Sequence, residues 1–152
     1  MPANSLKIGL IGAGRIGLMH AEHLTSRVRS AELLMVADAF EETARECAER
    51  YSIPYFVQDY HAILDHPDIQ AVVICSSTDT HAQIIEEAAQ AGKHIFCEKP
   101  VGRNPQETAA IEKVARQAGV MTFVGYNYRW PPLVQYARKT RRTRREPMAA
   151  DG

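Results

Sequence analysis

A glycine-rich segment near the amino terminus has the residue types and spacing of a phosphate-binding loop. Gly12, Gly14 and Gly17 match the pattern G-x-G-x-x-G between an apolar run and an amphipathic stretch. We expect Gly12 to allow a tight turn, Gly14 to let the backbone approach a diphosphate, and Gly17 to let a helix and a strand pack closely. The free N–H groups at the start of that helix, near Arg15 and Ile16, would bind the phosphates.

An acidic residue follows at the distance that such a loop requires. Asp38 ends the next apolar run, 21 positions after Gly17, and dinucleotide-binding loops have a carboxylate about 20 residues on that binds a ribose. Ala39 and Phe40 follow, and neither can bind a 2′-phosphate, so the sequence favours NAD over NADP. The alternative interpretation is a glycine turn with a solvent-facing aspartate and no ligand.

A second candidate segment, Glu98-Lys99-Pro100, follows another predicted strand. An ammonium group at the edge of the sheet can donate a hydrogen bond to a substrate hydroxyl or carbonyl and, once desolvated, can take part in proton transfer. Lys99 is on this interpretation a candidate catalytic residue. The alternative is an exposed lysine that forms a salt bridge with Glu98 ahead of a loop proline, and the tripeptide alone favours this alternative.

The order of apolar and polar residues predicts that strands and helices alternate along the chain. The runs 33–37 and 71–75 are apolar throughout, as in strands covered on both faces of a parallel sheet. The predicted strands are 6–11, 32–38, 55–57, 71–75, 94–97 and 120–125, and the predicted helices are 15–28, 41–50, 59–64, 81–91, 105–118 and 133–139. This alternation indicates a single α/β domain with a doubly wound parallel sheet, the Rossmann fold, and a ligand beyond the carboxyl ends of the strands.

Length and composition exclude several classes of protein. A chain of 152 residues with 45% hydrophobic and 24% charged residues is typical of one soluble globular domain, not of a disordered or coiled-coil chain. It shows neither a signal peptide nor an apolar run of about 20 residues, so we expect a cytoplasmic protein without a membrane segment. Cys47, Cys75 and Cys97 are too far apart for a metal-binding motif, which predicts reduced thiols and no metal.

The carboxyl end of the chain is unusually basic. Basic and acidic residues number 18 each, but residues 138–152 hold six basic and two acidic side chains. One hypothesis is therefore a non-catalytic, dinucleotide-sensing module whose segment 138–145 contacts nucleic acid or an acidic partner. No aromatic or base-reading motif accompanies this segment, so we disfavour nucleic acid and expect a disordered tail.

Together these segments resemble the Gfo/Idh/MocA oxidoreductases, a family that includes inositol 2-dehydrogenase and glucose-fructose oxidoreductase. The resemblance covers about residues 6–139, and its most discriminating part is residues 92–100, Gly-Lys-His-Ile-Phe-Cys-Glu-Lys-Pro. The other matching segments are 12–17, His20, Asp38, 77–81 and 125–130. The resemblance implies a Rossmann domain that binds NAD(H) or NADP(H).

The resemblance also implies roles for individual residues. Lys99 matches the lysine that lies beside the nicotinamide and the substrate, and Glu98 flanks the nicotinamide side. Further residues match the loop along the cofactor and the segment that leads to the active-site cleft: Ser76, Thr78 and His81 for the loop, and Asn127 for the segment.

Members of the family are more than twice as long and continue into an α/β domain that supplies most of the substrate pocket. We expect residues 1–130 to form the dinucleotide-binding domain, 131–140 a short helix leading to a second domain, and 141–152 a basic tail. The 152-residue chain is then expected to bind cofactor with little or no turnover, and a sugar, inositol or related polyol only with a second domain. Exposed apolar residues such as Phe123 and Tyr126 would favour a homo-oligomer.

Overall fold

The fold is given by a computed structural model that describes residues 5–126, Pro132 and Tyr136. Its strands are β1 (Leu6–Ile11), β2 (Ala31–Ala37), β3 (Tyr55–Val57), β4 (Ala71–Ile74), β5 (His94–Cys97) and β6 (Thr122–Val124). Its helices are α1 (Arg15–Ser26), α2 (Glu41–Tyr51), α3 (His61–Asp65), α4 (Thr78–Gln90) and α5 (Pro105–Ala118). Of the predicted helix over 133–139 only Tyr136 is described, and it is helical, whereas the predicted tail over 141–152 lies outside the described residues.

All six strands are parallel and form one sheet in the order β3-β2-β1-β4-β5-β6. The first half of the chain builds outward from β1 to β3, and the second half returns to β4 on the other side of β1. The order therefore reverses between β1 and β4, and the loops that follow these two strands diverge at their carboxyl ends. This confirms the predicted doubly wound α/β sheet and locates the crevice that such sheets use for ligands.

The apolar run of β2 is buried on both faces of the sheet, as its composition predicts. Leu33 and Val36 pack in one cluster with Ala21 of α1 and with Cys47 of α2. Leu34, Met35 and Ala37 belong to the opposite cluster, which also contains residues of α3 and α4. A strand covered by helices on both sides has no face for polar residues, which explains its continuous apolar sequence.

The ends of α1 and α4 differ by a few residues from the predicted ones. Helix α1 ends at Ser26 instead of 28, and the backbone of Arg27, at a φ of −120°, leaves the helical conformation there. Helix α4 begins at Thr78 instead of 81. Strand β6 is shorter than the predicted 120–125.

The predicted termini of α5 agree with the structure. The Asn104 side chain accepts the N–H of Glu107 at 2.8 Å, Pro105 opens the helix, and Gly119 ends it at a φ of 69°. The described helices were also compared with what a membrane span requires. Among residues 5–126, Pro132 and Tyr136, no helix has both the length and the apolar sequence of a membrane-spanning segment.

Candidate functional site

The turn after β1 requires glycine at position 12. Gly12 has a φ of 92°, and a Cβ atom there would lie 2.5 Å from the backbone nitrogen of Ser76 and 2.6 Å from the carbonyl carbon of Cys75. These are backbone atoms of the neighbouring β4 loop, which cannot move away cheaply. The N–H of Gly12 also donates to the carbonyl of Ala37 at 2.8 Å. The loops after β1, β2 and β4 therefore meet at this glycine.

Gly17 and Gly14 are glycines for different reasons. A Cβ atom on Gly17 would overlap the carbonyl oxygen of Gly12, so this glycine lets α1 pack against its own loop. Around Gly14 no atom lies within 4 Å of the corresponding position, and its φ of −67° suits any residue. The fold itself therefore does not require a glycine at Gly14, and the open space leaves its backbone accessible to a ligand, as the motif predicts.

The amino terminus of α1 is an uncapped anion-binding end. Gly14 is the N-cap and provides no side chain to bond the first N–H groups, and the first turn has no acidic residue. Arg15 is exposed there and adds a positive charge, while Ile16 is half-buried beside it. Free N–H groups, the helix dipole and a guanidinium together suit a diphosphate.

Asp38 is attached to this loop at the end of β2. Its Oδ2 accepts the N–H of Ala13 at 2.8 Å, and its Oδ1 accepts the N–H of Phe40 at 3.0 Å. The carboxylate is half-buried and fixed between the two loops, unlike the solvent-facing aspartate of the alternative interpretation. Each carboxylate oxygen has a further lone pair that can accept a ribose hydroxyl.

These loops enclose a cleft of about 670 Å³, within the range of about 300–1,000 Å³ that small-molecule sites occupy. Sequence reasoning missed several of its residues, which come from the segment between β3 and α3 and from α4. The missed lining residues are Gln58, Tyr60, His61 and Gln83. The available signal was topological: each of these loops follows a strand at the same edge of the sheet.

The β4–α4 loop and the first turn of α4 carry three predicted residues, of which one lines the cleft. Ser76 lines the cleft, and its hydroxyl lies 2.8 Å from that of Thr80, which also lines it. Thr78 is half-buried at the start of α4 and His81 is 1% exposed, and neither lines the cleft. The ring nitrogens of His81 lie 3.0 Å from the carbonyl oxygen of Ser76 and 2.9 Å from that of Pro100. His81 therefore joins the loops after β4 and β5.

The predicted pairing of Glu98 with the Lys99 side chain is not present. Glu98 is 8% exposed, and its Oε1 lies 2.8 Å from Nε2 of His20 on α1. Its Oε2 accepts the backbone N–H of Lys99 at 3.2 Å. The ammonium group of Lys99 is exposed and forms no ion pair with any residue that the structure describes. Glu98 thus fixes the backbone of Lys99 and leaves its side chain available.

The remaining candidates form no further site among residues 5–126, Pro132 and Tyr136. No group of three His, Cys, Asp or Glu side chains there could hold a metal ion. The cysteines are free thiols, and burial raises the pKa of Cys47 to about 11 and that of Cys97 to about 12. Burial also raises the pKa of Cys75, which is half-buried at the edge of the cleft, and a raised pKa lowers the thiolate fraction of a cysteine. Asn127 lies outside the described residues.

Comparison with known proteins agrees with this geometry. Residues 6–126 match the Gfo/Idh/MocA family model, described as an oxidoreductase family with an NAD-binding Rossmann fold. The chain belongs to the Gfo/Idh/MocA oxidoreductase family. The matched segment includes the glycine loop, Asp38 and Lys99, and it ends before Asn127.

Two curated relatives within the family are inositol dehydrogenases. The myo-inositol 2-dehydrogenase of Thermotoga maritima is 37% identical over 125 residues, which are 82% of this chain and 37% of the relative. The inositol 2-dehydrogenase of Rhizobium meliloti is 42% identical over 135 residues, 89% of this chain and 40% of the relative. The chain therefore spans about two fifths of the length of these relatives.

A solved structure with the same fold has the cofactor bound. The scyllo-inositol dehydrogenase of Lactobacillus casei, crystallised with NAD(H) and scyllo-inositol, superposes with a TM-score of 0.83 at 28% identity. The superposition covers 91% of this chain and 41% of the other. Residues 6–126 of this chain thus form the NAD-binding Rossmann domain of the family, and the proteins that it resembles include inositol dehydrogenases.

Proposed function

We propose that residues 5–126 bind NAD(H) in the cleft beyond β1, β2 and β4, for the oxidation of a cyclic polyol such as an inositol. The observation that supports this most strongly is the Asp38 carboxylate, which is fixed by the N–H groups of Ala13 and Phe40 beside an uncapped helix. The carboxylate would hold the adenosine ribose, and the start of α1 would hold the diphosphate.

NAD is favoured over NADP at this site. A 2′-phosphate would lie against the Asp38 carboxylate, and Ala39 and Phe40 offer no positive charge to compensate the repulsion. When bound, NAD⁺ supplies a hydride acceptor. The residues of this chain bind and orient it.

Lys99 is the proposed catalytic group. Its backbone is held by Glu98 and its ammonium group is unpaired among the described residues, so it can donate a hydrogen bond to a substrate hydroxyl and take part in moving that proton. Orientation of the polyol also needs groups around the carbinol carbon. The relatives are more than twice as long as the segment that matches, so we expect low turnover by the 152-residue chain.

Two further predictions are a homo-oligomer and a cytoplasmic location.

The test is calorimetric titration of the 152-residue chain with NAD⁺ and with NADP⁺. We expect heat with NAD⁺ and affinity for NADP⁺ at least about tenfold weaker. Asp38→Ala removes the two carboxylate oxygens that would accept hydrogen bonds from the ribose. The affinity of the chain for NAD⁺ should therefore fall by about tenfold or more. Asp68→Ala, in a surface pair with Lys7 away from the cleft, is the control and should bind normally. Absence of heat with either coenzyme would contradict the proposal.

A further inference from the structure

His81 is the most buried of the polar and charged side chains that the structure describes. It is the fourth residue of α4 and is 1% exposed. Its Nδ1 lies 2.9 Å from the carbonyl oxygen of Pro100, and its Nε2 lies 3.0 Å from that of Ser76. Neither carbonyl accepts another hydrogen bond from the described residues, so both depend on this ring.

The two partners of the ring are of the same chemical kind. A backbone carbonyl only accepts hydrogen bonds, whereas a neutral imidazole has one N–H donor and one nitrogen that only accepts. In a neutral ring, one nitrogen lone pair would face a carbonyl oxygen at hydrogen-bond distance, and that contact is repulsive. The imidazolium cation carries a proton on both nitrogens and can donate to both carbonyls.

A buried cation needs an anion nearby to offset its loss of hydration. Asp79 lies two residues before His81 in the first turn of α4, where it also offsets the helix dipole that disfavours a cation. The pKa of Asp79 is lowered, chiefly by its hydrogen bond to Ser77, and the charges of Arg103 and His81 contribute.

The other charged side chains near the ring have partners of their own or are exposed. The loop after β4, Ser76-Ser77, has no charged residue. In the loop after β5, Glu98 bonds to His20, Arg103 pairs with Glu107, and Lys99 is exposed. Asp79 is therefore the anion that stabilises a charge on the ring.

The ring is bonded to the segment that carries the proposed catalytic lysine. Pro100 directly follows Lys99, so the bond to its carbonyl fixes the chain on one side of Lys99. On the other side, Glu98 accepts the N–H of Lys99 at 3.2 Å. The second nitrogen of the ring holds Ser76, which lines the cleft. The position of Lys99 relative to the cleft thus depends on both bonds of the ring.

We propose that His81 is held as an imidazolium cation and, through the carbonyls of Pro100 and Ser76, positions Lys99 beside the cleft. His81 is a positioning residue, because it does not line the cleft itself. The inference rests on the proposed function for the role of Lys99, whereas the charge of the ring follows from its hydrogen bonds.

The charge is tested by ¹⁵N NMR of the 152-residue chain labelled at histidine. At about pH 7.5 an ordinary histidine is mostly neutral, with one protonated and one unprotonated nitrogen at well-separated shifts. We expect His81 to show two protonated nitrogens at that pH. The chain unfolded in urea is the control, and there His81 should show the neutral pattern.

The positioning role is tested by His81→Gln. Glutamine donates from only one end of its amide, so it can satisfy only one of the two carbonyls. The N–H of Lys99 should exchange with water about tenfold faster, because the segment that holds it opens locally. Exchange at Val36, in the core of β2, reports the global stability of each variant.

The matched control is Lys93→Gln. Lys93 is 8% exposed just before β5, and its ammonium group donates to the carbonyls of His66 and Ile69 at 2.9 and 2.8 Å. It is a second buried donor to two carbonyls, but at the amino end of β5 instead of the carboxyl end. Lys93→Gln should lower the stability without speeding exchange at Lys99 by local opening.

Each failure has a distinct result. A neutral His81 in the folded wild type, or unchanged exchange at Lys99 in His81→Gln, would overturn the proposal. Equal acceleration in both variants would do the same, because the effect would then be a general loss of stability. If His81→Gln does not fold, the wild-type ¹⁵N spectrum decides. Neither measurement uses a coenzyme, so failure to bind NAD⁺ contradicts the proposed function separately.

Discussion

Nε2 of His20 lies 2.8 Å from Oε1 of Glu98, and this contact joins the helix that would bind diphosphate to the loop that carries Lys99. The two side chains are only 17% and 11% exposed. Gly125 makes room for the carboxylate, since a Cβ atom there would lie 2.9 Å from Oε1. The contact therefore couples two parts of the site that are 78 residues apart in the chain.

His20→Ala should destabilise the domain because it leaves a buried carboxylate oxygen without its donor. We expect the free energy of unfolding to fall by about 1–3 kcal/mol, measured by urea denaturation. The control is Lys7→Ala, which breaks the exposed Lys7–Asp68 pair and should leave the midpoint nearly unchanged. If His20→Ala and Lys7→Ala unfold at the same urea concentration, the His20 contact does not stabilise the fold.

The three glycines of the loop should respond differently to alanine. Gly12→Ala forces a side chain into a φ of 92° and against the β4 backbone, at a cost of about 1–3 kcal/mol from backbone strain alone. Gly14→Ala meets no atom within 4 Å, so stability should stay the same while NAD⁺ affinity falls, because the methyl group would stand where the diphosphate approaches. Thermal unfolding and calorimetry measure the two effects separately. Loss of stability in Gly14→Ala would show that its role is structural.

The sequence predicted those features that depend on local pattern. The glycine spacing, the position of Asp38 and the continuous apolar run of β2 each follow from residues near one another in the chain. The contacts of Glu98 with His20 and of Gln58 with Ala39 depend on how separate loops approach after folding. No periodicity encodes that approach, so the tripeptide favoured a salt bridge between Glu98 and Lys99 that the structure does not form, and the place of Tyr60 in the cleft was missed.

The thiols should be unreactive in the folded protein. Burial raises the pKa of Cys47 to about 11 and that of Cys97 to about 12, so neither forms thiolate at neutral pH. Alkylation by iodoacetamide should be at least about tenfold slower in the native chain than in urea. Ser26→Cys introduces an exposed thiol at the end of α1 and should react rapidly under the same native conditions. Rapid native labelling of Cys47 or Cys97, located by mass spectrometry of the digested chain, would contradict their buried positions.

His61, which lines the cleft and stacks on the ring of Tyr60, provides a pH-dependent probe of this site. Its hydrogen bond to Asp59 is the main cause that raises its pKa above the usual 6.5, and Glu87 and Asp65 contribute through charge. A raised pKa in the folded state means that the pair stabilises the fold below pH 6.5 and that this contribution is lost as the pH rises through the pKa of His61.

In an NMR titration, Asp59→Asn should lower the pKa of His61 toward 6.5, because it removes the charged acceptor at Nδ1. Asp65→Asn should lower the same pKa by less, since Asp65 acts only through its charge and is the weakest of the three carboxylates. A wild-type pKa at 6.5, or a larger drop in the Asp65 variant, would show that the Asp59 contact does not hold the ring in solution. The ring that stacks on Tyr60 would then be free to turn away from the cleft.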